Sequence, residues 1–282
     1  MSRKPLLGYL VSHPIQYQAP LFRRLASSPT LDFVALFGCD FGVQPSFDRQ
    51  FGRVVDFGID LLGGYRSRFI PQVRRKPAID RFFGLISSRR DSAWSLESVD
   101  ILILHGWRTA MMWQAAAIAA SRGFPYLLRA ETPIYQNQPA FSLRQHLRNV
   151  AVRKLVSGSA GALVLGTSNE RFYLRLNCPK DRIYRVPYFV DNPAVAAAAS
   201  SGRANRGILR EQLHIPERSF VLIVVAKLIK RKRPLEFIRL LPLLPKSIHV
   251  IWVGSGELEQ QVRAEFSGQV KSVKAASDRD VD

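Results

Sequence analysis

The chain has 282 residues, 47% of them hydrophobic and 22% charged, enough core-forming material for one large or two modest domains and too much for a fibrous or disordered chain. It carries 41 Lys and Arg against 22 Asp and Glu, a net charge of +19 that points either to phosphate-bearing partners such as phosphorylated small molecules, anionic lipid or nucleic acid, or to an Arg-rich genomic composition. No apolar run approaches the ~18 residues of a membrane span, and Cys39 and Cys178 lie outside any C-x-x-C spacing, so neither a transmembrane helix nor a disulfide is expected.

The basic excess has two dense regions. Arg66 to Arg90 holds eight cations against Asp80 and Asp91, and Lys227 to Arg233 holds five in seven residues. The first strand starts close to Met1, which predicts no signal peptide, a cytoplasmic location and, at most, peripheral contact with an anionic membrane through the Arg66 to Arg90 surface.

In chain order, Pro5 to Val11 reads as a buried strand and Pro20 to Ser27 as its helix, and Leu31 to Phe37 is a second strand. Gly38 to Arg75 is irregular, with a short strand near Arg53 to Phe57, and Pro77 to Arg89 is expected to be helical. Asp100 to Leu104 is a strand ending in His105-Gly106-Trp107. An Ala-rich helix spans Thr109 to Ser121, and Tyr126 to Arg129 is the next strand. Ser142 to Val156 and Asn169 to Leu176 read as helices, Ala162 to Leu165 and Ile183 to Val186 as strands. Continuous apolar strands alternating with helices indicate a mostly parallel sheet covered on both faces.

A small, polar stretch from Asn192 to Asn205 reads as a linker, after which the pattern restarts. Ile208 to Leu213 is a helix, Phe220 to Val225 a strand, Leu235 to Leu243 a helix, Ile248 to Val253 a strand and Leu258 to Phe266 a helix. Ser267 to Asp282 lacks apolar runs and is expected to be a disordered tail. The predicted organisation is α/β, with an N-terminal Rossmann-like domain over 1–191, a linker over 192–205, a partial second Rossmann-like domain over 206–266 and the tail over 267–282. Two strands leave that second domain short of cover, so it reads as incomplete.

Four constellations carry chemistry. Lys227 and Lys232 flank a basic loop between a strand and a helix, where cations grip a diphosphate; the alternative is a solvated basic loop. Gly254, Gly256 and Glu257 form a strand-to-helix turn that lets a nucleotide approach the backbone, or simply turns the chain. Ser12 to Gln18 follows the first strand, and its His13 and Gln16 are placed to meet a sugar or an acceptor unless His13 merely faces water. Glu131 ends another strand and serves as a base or hydroxyl ligand, the alternative being an ion pair with a neighbouring Arg. His105 and Trp107 follow the preceding strand, Trp107 either stacking on a sugar or packing. No His/Cys cluster has metal-ligand spacing.

Ala226-Lys227-Leu228 with Lys232, the run Val253-Gly254-Ser255-Gly256-Glu257-Leu258, the run Val186 to Asp191 and the opening Ser12 to Ala26 resemble the family 4 glycosyltransferases, which have two Rossmann-like domains in the GT-B architecture. Ala226 and Arg233 stand where that family usually has Gly. The resemblance implies a retaining, metal-independent transfer from a UDP- or GDP-linked sugar to a glycan or lipid-linked acceptor in polysaccharide or cell-envelope biosynthesis. Lys227 and Lys232 would hold the diphosphate, Gly254, Gly256 and Glu257 the nucleotide, Gln16 and Trp107 the acceptor, and His13 and Glu131 the chemistry. The family's E-x7-E motif has no counterpart after Phe266, so the chain as given is expected to have little transfer activity. The rival expectation is a basic polyanion- or membrane-binding protein without catalysis; a third, an epimerase or oxidoreductase of Rossmann type, is disfavoured by the missing glycine fingerprint after the first strand, and nucleic acid is not an expected partner, because no nucleic-acid motif is present.

Overall fold

A computed structural model describes residues 3–48, 53–55, 58, 60–88, 99–132, 143–245, 247–267 and 275–276. The chain divides into two units, one formed by Met1–Gln44 and Phe57–Asp191, the other by Pro45–Asp56 and Asn192–Asp282.

In the first unit, seven parallel strands form one sheet. They are β1 (Leu6–Val11), β2 (Asp32–Phe37), β5 (Ser67–Phe69), β6 (Ile101–His105), β7 (Tyr126–Arg129), β8 (Gly161–Val164) and β9 (Ile183–Arg185), in the order β5-β2-β1-β6-β7-β8-β9. Their apolar runs are continuous because successive side chains point to opposite faces and both faces are buried. Val34, Leu36, Leu102, Leu104 and Leu128 enter one core, while Phe33, Ala35, Phe37, Ile103 and Leu127 enter the other. Helix α1 (Ala19–Ala26) covers the second face with Phe22. On the first face lies α2 (Ala110–Arg122), whose Ala115, Ala116 and Ala119 allow close approach to the sheet; it ends at Gly123 in the left-handed conformation, φ 74°. Helices α3 (Leu143–Ser157) and α4 (Thr167–Arg175) add Val152, Leu155, Val156 and Tyr173 to that face.

The second unit holds a parallel sheet in the order β10-β11-β12, from Phe220–Val225, Ile248–Val253 and Ala275–Ala276. Helices α7 (Pro234–Leu240) and α8 (Glu259–Ser267) cover it, with Ile238, Leu241, Trp252, Leu258 and Val262 as the core. An antiparallel pair, β3 (Ser46–Asp48) and β4 (Arg53–Val55), groups with this unit although it lies early in the chain.

Three expectations are corrected. Pro77 to Arg89 is not a helix: only Phe82–Gly84 makes a 3-10 turn, because Val73 donates its amide to the Ile86 carbonyl at 2.8 Å and the chain doubles back; Arg89 lies outside the described residues. The linker over 192–205 is helical, α5 spanning Asn192–Ala204 and α6 spanning Arg206–Gln212, since its alanines are strong helix formers. Within the tail, Ala275–Ala276 pairs with Trp252 and Val253 as a third strand, and the remainder of 268–282 lies outside the described residues.

Candidate functional site

Ligands of open α/β sheets bind beyond the carboxyl ends of the strands, at the point where strand order reverses. In the first unit that point lies between β1 and β6, and the residues that end β1, β6 and β7 meet there.

The centre is His105, the last residue of β6. Its Nδ1 lies 2.8 Å from the Tyr9 hydroxyl and 3.1 Å from Gln18 Nε2, and its Nε2 lies 3.5 Å from Glu131 Oε1. Nδ1 thus meets a hydroxyl and a side-chain amide, and Nε2 a carboxylate. Gln18 stands at the N-cap of α1, yet its side chain makes no cap bond and turns to His105 instead. Tyr9 and Gln18 are both buried.

Glu131 follows β7 on a turn that is clamped from α4. Asn169 donates through Nδ2 to the Ala130 and Thr132 carbonyls at 2.8 and 2.9 Å, on either side of Glu131. The Tyr17 hydroxyl donates to Glu131 Oε1 at 3.4 Å. The His105 contact holds the Glu131 carboxyl below its ordinary range, with smaller help from Tyr188 and Tyr17 and against the opposing effect of burial. Glu131 therefore stays ionised at neutral pH while its side chain keeps 38% exposure, enough to meet a substrate hydroxyl. Burial and the same carboxylate push Tyr17 up to about 12.

Arg129, buried at the end of β7, is not the partner of Glu131. It donates to the Val186 and Pro187 carbonyls at 3.0 and 3.4 Å and lies 5.9 Å from the Tyr188 ring centre, fastening the segment after β9 beside the Tyr17 ring. His13 sits in the loop after β1, its Nδ1 2.8 Å from Ser12 Oγ and its ring edge-on to Phe41. Burial, with a smaller contribution from His105, lowers its pKa to about 4, so it is neutral rather than a water-facing cation. Gln16 is half-buried in the same loop. Trp107 packs: it stacks on Phe172 with centroids 6.0 Å apart and meets Tyr173 edge-on. Sequence reasoning missed Tyr9, Gln18, Asn169 and Tyr188, and gave His105 only a place on the lining.

In the second unit the lysine loop and the glycine turn lie side by side beyond the carboxyl ends of β10 and β11. Main-chain bonds join them: Ala226 N to Val253 O at 3.0 Å, Leu228 N to Ser255 O at 2.9 Å, and Leu258 N to Leu228 O at 2.9 Å. The glycines serve this contact. A Cβ on Gly254 would overlap the Ala226 carbonyl oxygen and one on Gly256 would fall 2.6 Å from that of Leu228, and both have positive φ, 143° and 159°. Their approach is thus to the lysine loop itself. Between them, the buried Ser255 hydroxyl has no hydrogen-bond partner among the described residues.

Lys227 Nζ is 2.9 Å from Asp48 Oδ2 on β3, so an internal carboxylate already meets this cation. Lys232 ends a 3-10 turn, Lys230–Lys232, and is exposed, as is Glu257 ahead of α8. Arg233, where the resembled family usually has Gly, adopts the left-handed conformation, φ 52° and ψ 46°, that such a Gly would take without strain. Among the described residues, no three His, Cys, Asp or Glu side chains are grouped to hold a metal ion.

No protein-family model matches the chain, and no curated protein matches it in sequence. Solved structures do match in shape. Anabaena HepE in complex with UDP superposes with a TM-score of 0.61 at 12% identity, over 99% of this chain and 70% of that one. UDP-GlcNAc 2-epimerase from Neisseria meningitidis bound to UDP-GlcNAc gives 0.55 at 13% identity, over 97% and 72%. The lipopolysaccharide outer core galactosyltransferase WaaB, in its apo form, gives 0.51 at 13% identity, over 97% and 68%. The fold is therefore α/β of the GT-B class, with Rossmann-like units.

Two predictions follow from this geometry. Because the unfolded chain protonates His13 near 6.5 and the folded one only near 4, the unfolded state binds more protons between those values. Stability is then expected to fall as pH drops through that window, by at most about 1.4 kcal/mol per pH unit from this group. His13→Gln should flatten the dependence of the urea midpoint there; an unchanged slope refutes the burial account. Separately, Gly254→Ala should destabilise the second unit by roughly 2–4 kcal/mol, since a main-chain oxygen must move. Hydrogen exchange should show protection lost in β10 and β11 and kept in β1 and β6; equal protection in all four strands counts against the contact.

Proposed function

We propose that the protein is a glycosyltransferase that moves a sugar from a UDP- or GDP-linked donor to a glycan or lipid-linked acceptor, in polysaccharide or cell-envelope biosynthesis. The observation that carries this reading is the joining of the lysine loop to the glycine turn at the carboxyl edge of β10 and β11, in a fold shared with structures crystallised with UDP, UDP-glucose and UDP-GlcNAc. The basic loop, the glycine turn and their order along the chain support it further.

In this reading Lys227 and Lys232 neutralise the donor diphosphate, whose charge grows as the glycosidic bond breaks. Lys227 exchanges Asp48 for a phosphate oxygen, while the exposed Lys232 supplies the second cation. Gly254, Gly256 and Glu257 line the nucleotide, the Glu257 carboxylate suiting a hydroxyl rather than a phosphate. At the edge of the first unit, the ionised Glu131 receives the proton of an acceptor hydroxyl, held in place by His105. Neutral His13 and Gln16 offer hydrogen bonds to the same acceptor.

The likeness to the Neisseria epimerase favours a second reading, isomerisation of a nucleotide sugar without an acceptor. The two separate by product: transfer releases free nucleotide only when acceptor is present, whereas isomerisation returns an epimeric nucleotide sugar without one. In either case UDP- or GDP-sugars should raise the melting midpoint of the full chain. In a version of the protein with measurable transfer activity, Lys232→Ala is expected to lower kcat/KM about 10²-fold, the usual loss when a stabiliser of transition-state charge is removed. A near-normal rate in that variant removes the diphosphate assignment.

A further inference from the structure

The loop between β5 and β6 is a built projection. Its base is an antiparallel bridge between Gln72 and Ser87, reinforced by Val73 N to Ile86 O at 2.8 Å. Its two limbs touch where Ala78 N donates to Gly84 O at 3.0 Å, so tightly that a Cβ on Gly84 would overlap the Ala78 carbonyl. Leu85 is fully buried, and its carbonyl accepts from Met111 N at the start of α2. Arg108 donates to the Asp80 carbonyl at 3.1 Å. These bonds tie the loop to the residues that immediately follow His105, on the carboxyl edge of the sheet.

Against that anchored base, the tip exposes large apolar groups. Phe83 is 63% exposed, Val73 64% and Phe82 45%, and the two Phe rings pack edge to face with centroids 4.9 Å apart. An exposed apolar cluster costs free energy in water and marks an interaction surface. The same loop carries four exposed cations, Arg74, Arg75, Lys76 and Arg81, the last 4.0 Å from Asp80, the one acid within residues 73–83. Cations and exposed aromatics on one loop match the headgroup region of an anionic bilayer, where phosphates lie directly above the acyl boundary. The rings favour lipid over nucleic acid because they pack on each other instead of presenting parallel faces for bases.

We propose that residues 73–83 form a membrane-docking tip, in which Phe82 and Phe83 enter the acyl boundary of an anionic bilayer while Arg74, Arg75, Lys76 and Arg81 engage lipid phosphates. Docking turns the carboxyl edge that carries Glu131 toward the lipid surface, where an acceptor attached to lipid is presented. The surface stands on its own residues and holds whether or not the chain transfers sugar.

The test is co-sedimentation of the full chain with vesicles of phosphatidylcholine alone and with about one third phosphatidylglycerol. Binding is expected only to the anionic vesicles and should weaken as salt is raised. Phe82→Ser with Phe83→Ser, and separately Arg74→Ser with Arg75→Ser and Lys76→Ser, should each reduce vesicle affinity about tenfold or more at an unchanged melting midpoint. Should the double Phe variant fail to fold, Phe83→Trp gives a second readout, a blue shift of its emission on anionic vesicles. No binding to anionic vesicles, full binding by the Phe variant, or no emission shift overturns the proposal. Equal affinity for duplex DNA, indifferent to the Phe substitutions, identifies the patch as a general polyanion surface and also overturns it.

Discussion

The first unit's site depends on how one imidazole is satisfied. Both ring nitrogens of a largely buried imidazole must meet hydrogen-bonding partners. His105 meets Tyr9 on β1 and Gln18 at the cap of α1 through Nδ1, and Glu131 after β7 through Nε2. Four elements are thereby held in one arrangement through a single ring. The parallel register of β1 with β6 and β6 with β7 brings those strand ends together, so the sheet and the network require each other. Asn169 and Arg129 complete the frame, the first fixing the turn that carries Glu131 and the second fastening the chain after β9. The result is an ionised carboxylate at the strand edge with its orientation set from three sides.

The second unit solves its positioning problem differently. Its two loops are joined by main-chain bonds, and Lys227 meets the Asp48 carboxylate. Asp48 reaches the lysine from 179 residues away in sequence. An internal carboxylate spares the half-buried Lys227 an uncompensated charge.

The backbone plan was legible because burial on both sheet faces leaves a plain signature. Leu6–Val11 and Asp32–Phe37 lie in continuous apolar runs buried on both faces, whereas Phe220–Val225 forms its expected strand with Phe220, Ile223 and Val225 exposed. The strand ends carrying His105 and Glu131 were legible for the same reason. Their network was not, because Tyr9 lies inside an apolar run and looks like core, and its bond to His105 appears only once β1 and β6 are in register. Asp48 was hidden for a related reason: nothing local in a short strand announces a partner so distant in sequence. Pro77 to Arg89 misled because apolar spacing does not reveal a chain doubling back on itself, and Asn192 to Asn205 because small residues suit a linker and a helix equally.

The main-chain joint between the lysine loop and the glycine turn divides the residues there into two kinds. Ala226, Leu228 and Ser255 hold the joint through amides and carbonyls that any residue possesses, while Gly254 and Gly256 hold it by lacking a side chain. The exposed side chains of Lys230, Arg231, Lys232 and Arg233 can therefore change without disturbing the joint, whereas the glycines and the buried Leu228 cannot. A scaffold of this kind lets a lineage retune its chemical preference through successive surface substitutions while its architecture persists, and so keeps its shape after resemblance in sequence has faded.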